Sequence, residues 1–481
     1  MTATRPALVP ASTGRATFGF MEGEKWNRIG KLGRWRRLFC VLLVCAAAPI
    51  ASTAQTFTTL VSFKGPNGIF PESIVQGLDG NLWGTTANGG ISNCGTVFKM
   101  QPKGILTRFV TFNCTKVNTG QGIILGTDGD FYGITFWGAG NEGTVFKLKP
   151  GNPLAVLANF DGTHGSEPVG SLAEGNDGSF YGATYSGGSD DWGTVFKVTP
   201  TGTLTTVYDF DFTNGAQPYA GLVQGVDGNF YGTTYSGGHA GCGTVFKVSP
   251  KGALTVLHSL DCTSDGGRSI ASLAPGRDGN FYGVANSGGV KNDGTVFKIT
   301  PSGVFTTLYS FSGTDGQFPA GALVQSTDGN FYGTTAAGGA QGSGTVFRMT
   351  PAGVVTTLHS FDGTDGEGPF DLVEDTDGTL YGITGNGGTW GNGTVFSLAV
   401  GLGPFVKTLP TLGKVGTNVI ILGTNLTGAS GVTFNGIAAT FAVVSSSEIT
   451  TTVPSGATTG VVHVTIPSRT LSSNVHFRVV N

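Results

Sequence analysis

Four sets of residues have types and spacings that bear on chemistry. Asp-Gly pairs recur at Asp79, Asp128, Asp177, Asp227, Asp278, Asp328 and Asp377. A calcium loop of the EF-hand kind needs several acidic residues at alternating positions and a closing Glu, and each of these Asp residues stands alone. Asp-Gly is also the dipeptide of a tight hairpin turn, and the turn reading is adopted. Six histidines are present, none in a metal-ligand spacing. His258 and His359 occupy the repeat position held elsewhere by Tyr208 and Tyr309, which points to packing. Asp190 and Asp191 are adjacent, which suits a solvated loop tip better than an acid/base pair. Glu174 and Glu374 align three residues before an Asp-Gly pair and are expected to face a central channel. No nucleophile elbow, phosphate loop or dinucleotide fingerprint stands in the right context. No catalytic constellation, metal site or cofactor is expected.

Stepping from these residues to the elements that carry them, the tetrapeptide Gly-Thr-Val-Phe begins at Gly95, Gly143, Gly193, Gly243, Gly294, Gly344 and Gly393, a period near 50 residues. A fixed period of this length marks a repeat architecture. Each Asp-Gly pair is followed, after one residue, by Leu or Phe and then by Trp83, Tyr132, Tyr181, Tyr231, Tyr282, Tyr332 or Tyr381. One such ring per unit at one place argues for packing between units. Each unit reads as four short antiparallel strands, so the fold class is all-β: a seven-bladed β-propeller. The segment Thr56 to Phe63 resembles a fourth strand without a third before it, and the last unit lacks a fourth after Val400. The N-terminal strand is therefore expected to complete the last blade and close the ring.

Composition narrows the function classes. The formal net charge is −3 and only 12% of the 481 residues are charged. No basic field attracts nucleic acid or an anionic membrane. Lys31, Arg34, Arg36 and Arg37 precede the apolar run Leu38 to Ile50 and the small residues Ser52 to Ala54. This is the pattern of a secretory signal peptide, with cleavage expected after Ala54. The run is shorter than the ~20 residues of a membrane span, so no transmembrane segment is expected in the mature chain. The mature chain is expected to be monomeric and secreted, extracellular or periplasmic.

Two cysteines fall in the leader, and Cys94, Cys114, Cys242 and Cys262 lie beyond it. Cys94 and Cys242 each precede Gly-Thr-Val-Phe, and a partner stands 20 residues on, after the fourth strand. An antiparallel hairpin brings the start of one strand to the end of the other, which predicts disulfides Cys94–Cys114 and Cys242–Cys262.

Units such as DGNFYGTTYSGG, CGTVFKVSPKG and LTVLHSL resemble the GloVer (Gly-Thr-Val-Phe type) tandem repeat of secreted bacterial proteins, over roughly residues 56–400. DGNLWGTT, from Asp79, also resembles blades of sensor-kinase propellers. The resemblance implies architecture and export rather than a chemistry. Beyond residue 402 the repeat signals stop, and Leu422-Gly423-Thr424-Asn425, Val432 to Gly436 and Val453 to Gly460 resemble an IPT/TIG domain, an immunoglobulin-like β-sandwich. The expected organisation is a signal peptide and basic region at 1–54, the propeller at 55–402 and the IPT/TIG domain at 403–481.

The connections between second and third strands, and between fourth and first, vary among units. In an up-and-down blade both emerge on one face, and a constant scaffold with variable loops on one face suits binding. Trp137, Trp192, His239 and Trp390 sit on these loops and are the candidate ligand-binding residues. The function expected is a non-catalytic binding or structural scaffold for an extracellular glycan or protein. An extracellular lyase or glycosidase on the same scaffold is the alternative.

Overall fold

The computed structural model describes residues 55–480. The leader and its cleavage point lie outside the described residues. No helix among them is long and apolar enough to cross a membrane.

The described chain is all-β. Each repeat forms one antiparallel sheet in chain order. In the first, Ile69–Gln76, Leu82–Asn88, Thr96–Met100 and Leu106–Thr111 pair in sequence. The Asp-Gly pairs form the tight turn between first and second strands, and Gly228 takes φ 78° there, a conformation that costs glycine little. Asp227 completes that turn. Its carboxylate accepts from the Asn229 amide at 3.2 Å and from the Tyr231 hydroxyl at 2.8 Å.

That Tyr is a joint between repeats. The ring of Trp83, Tyr132, Tyr181, Tyr231 or Tyr282 packs on the Phe that opens the next repeat's second strand, with centroids 3.9–4.6 Å apart. These rings are buried, and buried aromatic pairs of this geometry add about 0.5–1.5 kcal/mol each beyond area burial. In the first three repeats the lysine after Gly-Thr-Val-Phe pairs with the Asp of the hairpin turn: Lys99, Lys147 and Lys197 meet Asp79, Asp128 and Asp177 at 2.7–2.8 Å.

The last repeat takes its fourth strand from the start of the chain. Thr56–Ser62 pairs antiparallel with Thr394–Ala399, from Thr56 opposite Ala399 to Ser62 opposite Thr394. One core cluster mixes both ends of the repeat array: Phe63, Ile74, Leu82 and Phe98 pack with Tyr381, Ile383 and Val395. Both expected disulfides are present, Cys94–Cys114 and Cys242–Cys262, each with Cα atoms 5.4 Å apart.

After the repeats, two small antiparallel sheets enclose a core of Val419, Ile421, Phe434, Ile449, Val464 and Phe477. This part is docked on the hairpin-turn side of the repeats. The ammonium of Lys407 donates to Gln76 Oε1 at 3.1 Å and to the Glu374 carbonyl. Ser447 donates to the Leu78 carbonyl at 2.6 Å, and Arg277 Nε to the Asn474 carbonyl at 2.6 Å. A cleft of about 1280 Å³ lies alongside, between residues 124–128, 172–178, 222–226 and 275–281 on one wall and Leu409–Lys414 and Val475–Val480 on the other.

Candidate functional site

Near the start of each repeat's first-strand segment, one backbone position adopts left-handed geometry in all seven repeats. These residues are Phe70, Thr119, Glu167, Gln217, Arg268, Phe318 and Gly368, with φ between 53° and 65°. Only the last is the glycine that this region favours. Each amide donates to the carbonyl preceding the Gly of Gly-Thr-Val-Phe in the repeat before it, from 2.7 Å at Gln217–Trp192 to 3.0 Å at Thr119–Cys94. In the first repeat the acceptor is Asn392, of the last. Six side chains are thus held at a costly backbone conformation on the side of the variable loops, and such concentrations of strain belong to sites where direction matters.

Around this column the tyrosines gather. Tyr219, 42% exposed, meets Tyr185 edge to face at 5.7 Å and Tyr235 at 6.3 Å. The Arg268 guanidinium lies 5.8 Å from the Tyr235 ring centre. Glu167 accepts from Ser186 at 2.8 Å, and Gln217 from Ser236 at 2.8 Å. Glu72, from the first repeat, completes the group. Burial pushes the Tyr219 hydroxyl above its usual range, and the charges of Glu72 and Glu167 push it further. Residues of the first, third, fourth and fifth repeats therefore share one site.

Glu72 is the unusual member. Water reaches it, yet protein encloses it closely enough that desolvation alone pushes its carboxyl up to about 8. Among the described residues its carboxyl has no hydrogen-bond or ion-pair partner. A carboxyl displaced by desolvation with no charge partner marks a candidate functional residue. No cluster of three or more metal-ligating side chains occurs among the described residues.

The residues expected from sequence are distributed differently. Trp137 is 43% exposed with Phe136 edge-on at 5.3 Å, and Trp390 is 52% exposed with the Lys64 ammonium 4.3 Å above its ring. His239 is exposed, its amide held by Ser259. Trp192 is half-buried against Phe212 at 4.9 Å and belongs to a core cluster. No ring contact joins any two of the four among the described residues.

Glu174 lines the cleft beside the C-terminal module, whereas Glu374 is buried. Glu174 accepts from the Thr127 amide at 2.8 Å, and Glu374 from the Ser326 hydroxyl at 2.6 Å, each reaching back to the preceding repeat. Gln224 and Gln325, at the same repeat position, accept from the Asn176 and Arg277 amides. The position is a clasp between neighbours, because a long polar side chain there can satisfy the hairpin of the repeat before it.

Sequence reasoning missed Glu72, Tyr185, Tyr219, Tyr235 and Arg268. For Glu72, Tyr219 and Arg268 the signal available was variation near the start of the first strand, where five of the seven repeats share a Pro and little else.

The fold and site describe a propeller-like, all-β repeat protein with a polar aromatic cluster where several repeats converge. The chain belongs to the Gloeobacter/Verrucomicrobia repeat family, whose model matches residues 49–174, 120–327 and 251–441. An IPT/TIG domain matches residues 405–479. No curated protein matches the chain in sequence. Among solved structures, a streptogramin B lyase is similar at a TM-score of 0.52 and 16% identity, covering 72% of this chain and 97% of that one. Virginiamycin B lyase from Staphylococcus aureus is similar at 0.52 and 13%, covering 72% and 99%. The extracellular domain of a hybrid two component system from B. thetaiotaomicron aligns at 0.48 and 12%, covering 88% and 57%. At these identities the likeness concerns the fold.

Proposed function

We propose that the chain is an extracellular, non-catalytic recognition scaffold: a seven-bladed propeller closed by its N-terminal strand, binding a glycan at the axial mouth on the variable-loop side. Closure is supported by the pairing of Thr56–Ser62 with Thr394–Ala399 and by two links from last repeat to first. These are Gln76 Nε2 to Thr376 Oγ1 at 2.8 Å and the Ile74 amide to Asp371 Oδ2 at 3.0 Å. Export is supported by the leader pattern and the two disulfides, which persist in oxidising compartments.

The observation that carries the binding reading is the Tyr185–Tyr219–Tyr235 row beside Glu72 and Glu167. Exposed aromatic faces stack on the apolar faces of sugar rings, and carboxyls at the rim take their hydroxyls. Exposed Trp137 and Trp390 extend the same chemistry along the loops. A panel of extracellular polysaccharides, titrated into the full chain and its Tyr219→Ala variant, tests it. Binding lost in the variant supports the reading; equal binding by both overturns it.

One observation favours an enzyme. A carboxyl held near neutral pH, as in Glu72, is what a general acid requires. The same panel separates the two, because appearance of shortened products, abolished by Glu72→Gln, replaces the binding scaffold with a lyase or glycosidase.

A further inference from the structure

We propose that the cleft between the repeats and the C-terminal module binds a long-chain carboxylate, its charged end on the Arg478 guanidinium and its chain along the apolar side chains of the two walls. This is a second site, on the hairpin-turn side of the repeats, and it does not depend on the tyrosine mouth.

Strand alternation sets the direction of Arg478. Phe477 is buried in the core of the C-terminal sandwich, and Val479 packs against the same core. Successive side chains of a strand point to opposite faces, so Arg478 points out of the sandwich, and it lines the cleft. Leu412, opposite Arg478 in a parallel pair, lines the cleft as well.

Charge selects one end of the ligand. The carboxylates of the cleft already hold donors: Asp128 accepts from Lys147 at 2.8 Å, Glu174 from the Thr127 amide at 2.8 Å and Asp278 from Tyr282 at 2.9 Å. The Arg277 guanidinium is bonded to the Asn474 and Thr327 carbonyls. Lys414 and His476 are exposed at the rim. The Arg478 guanidinium makes no hydrogen bond or ion pair among the described residues, and partial enclosure holds its pKa below the ordinary guanidinium value. An enclosed charge without a partner is costly. The planar fork of guanidinium donors matches one carboxylate through two parallel hydrogen bonds.

Shape and polarity select the rest. The cleft runs past four consecutive repeats, the second to the fifth. Apolar side chains within reach of water stand on both walls: Val223, Val226 and Pro275 on the repeats, and Pro410, Val475 and Val480 on the module. Covering them with an apolar chain is favourable in proportion to the area removed from water. A peptide would bring an amide donor and a carbonyl acceptor at every residue, and each needs a partner. Gln224, Glu174 and Arg277, the polar side chains of the repeat wall, already hold partners within the protein. An acyl chain needs none.

Isothermal titration of the full chain at pH 7.5 tests this, with dodecanoate below its micellar concentration, dodecylammonium, acetate, and an apolar pentapeptide with a free C-terminal carboxylate. Dodecanoate is expected to bind at one site, at least tenfold more tightly than each of the others. Arg478→Gln, whose melting curve confirms folding, is expected to weaken dodecanoate at least tenfold, and Arg478→Lys to weaken it less. Val226→Glu sets a carboxylate on the apolar wall at an exposed turn position, and is expected to weaken dodecanoate while leaving the melting curve in place. Absence of dodecanoate binding, affinity unchanged by Arg478→Gln, or equal binding of dodecylammonium overturns the proposal. Acetate bound as tightly as dodecanoate reduces the site to an adventitious ion only and overturns it too. Tighter binding of the pentapeptide overturns the acyl occupant.

Discussion

The amide of Gln76 donates a 2.8 Å hydrogen bond to the hydroxyl of Thr376, linking first and last repeats across 300 residues of chain. The bond is buried, and Gln76 Oε1 also accepts from Lys407. Gln76→Ala removes one bond from each partner, leaving Thr376 with Thr424 and Lys407 with the Glu374 carbonyl, and is expected to cost about 1–2 kcal/mol in urea denaturation. Phe63→Ala, at a fully buried position of the same junction, is expected to cost roughly 3–5 kcal/mol. Unchanged midpoints in both variants would remove the support for closure.

The two disulfides each close a loop of 20 residues. On the chain-entropy account such a loop contributes about 3 kcal/mol. Cys242→Ser with Cys262→Ser is expected to lower the melting temperature, and wild-type protein in reductant should fall by more, because both bonds open. A melt indifferent to reductant counts against this.

The pH dependence of stability follows from buried carboxyls. Burial pushes Asp371 and Glu374 up to about 7, although the amides of Ile74 and Leu372 and the Ser326 hydroxyl pull back. The folded state then holds protons that the unfolded chain has already lost, so stability is fully present below about pH 4 and is lost as pH rises through 7. Each group contributes on the order of 1.4 kcal/mol per pH unit across that window. Asp227 behaves oppositely: burial raises it, but bonds from Asn229 and Tyr231 outweigh this and hold it below its usual range. Its contribution is present above about pH 4 and lost on further acidification. Asp371→Asn, which keeps an acceptor for the Ile74 amide, is expected to flatten the loss between pH 5 and 8. A slope as steep as wild type would show that Asp371 titrates normally.

The two tryptophans of the last variable loop and the third repeat should separate. Trp192→Ala empties a packed position against Phe212 and is expected to destabilise by about 2–4 kcal/mol. Trp390→Ala removes an exposed ring and one cation–π contact, with an expected cost below about 1 kcal/mol. Denaturation midpoints read this directly. Equal costs would contradict the burial difference.

What was legible in the sequence is what repeats locally. Asp-Gly, the Tyr that follows it and Gly-Thr-Val-Phe appear seven times, so strand order, inter-repeat packing and both disulfides could be placed by register alone. Glu174 and Glu374 were read as channel residues because their position alternates with core positions; both reach the preceding repeat, and of the two only Glu174 also lines the cleft. The tyrosine cluster was hidden for a different reason. Tyr185 and Tyr235 share one repeat position and Glu72 and Tyr219 another, but the other repeats carry different residues at both, so no recurring motif flags the cluster. Nor does sequence show that Arg268 or Glu167 takes a left-handed backbone, since neither residue type favours it.

Lys407 reaches Gln76 of the first repeat and the Glu374 carbonyl of the last, so the C-terminal module is riveted over the seam where the two ends of the repeat array meet. Separating the first repeat from the last therefore also means breaking the bonds that the module makes to both. A segment made after all the repeats thereby serves as a staple across the first and the last of them.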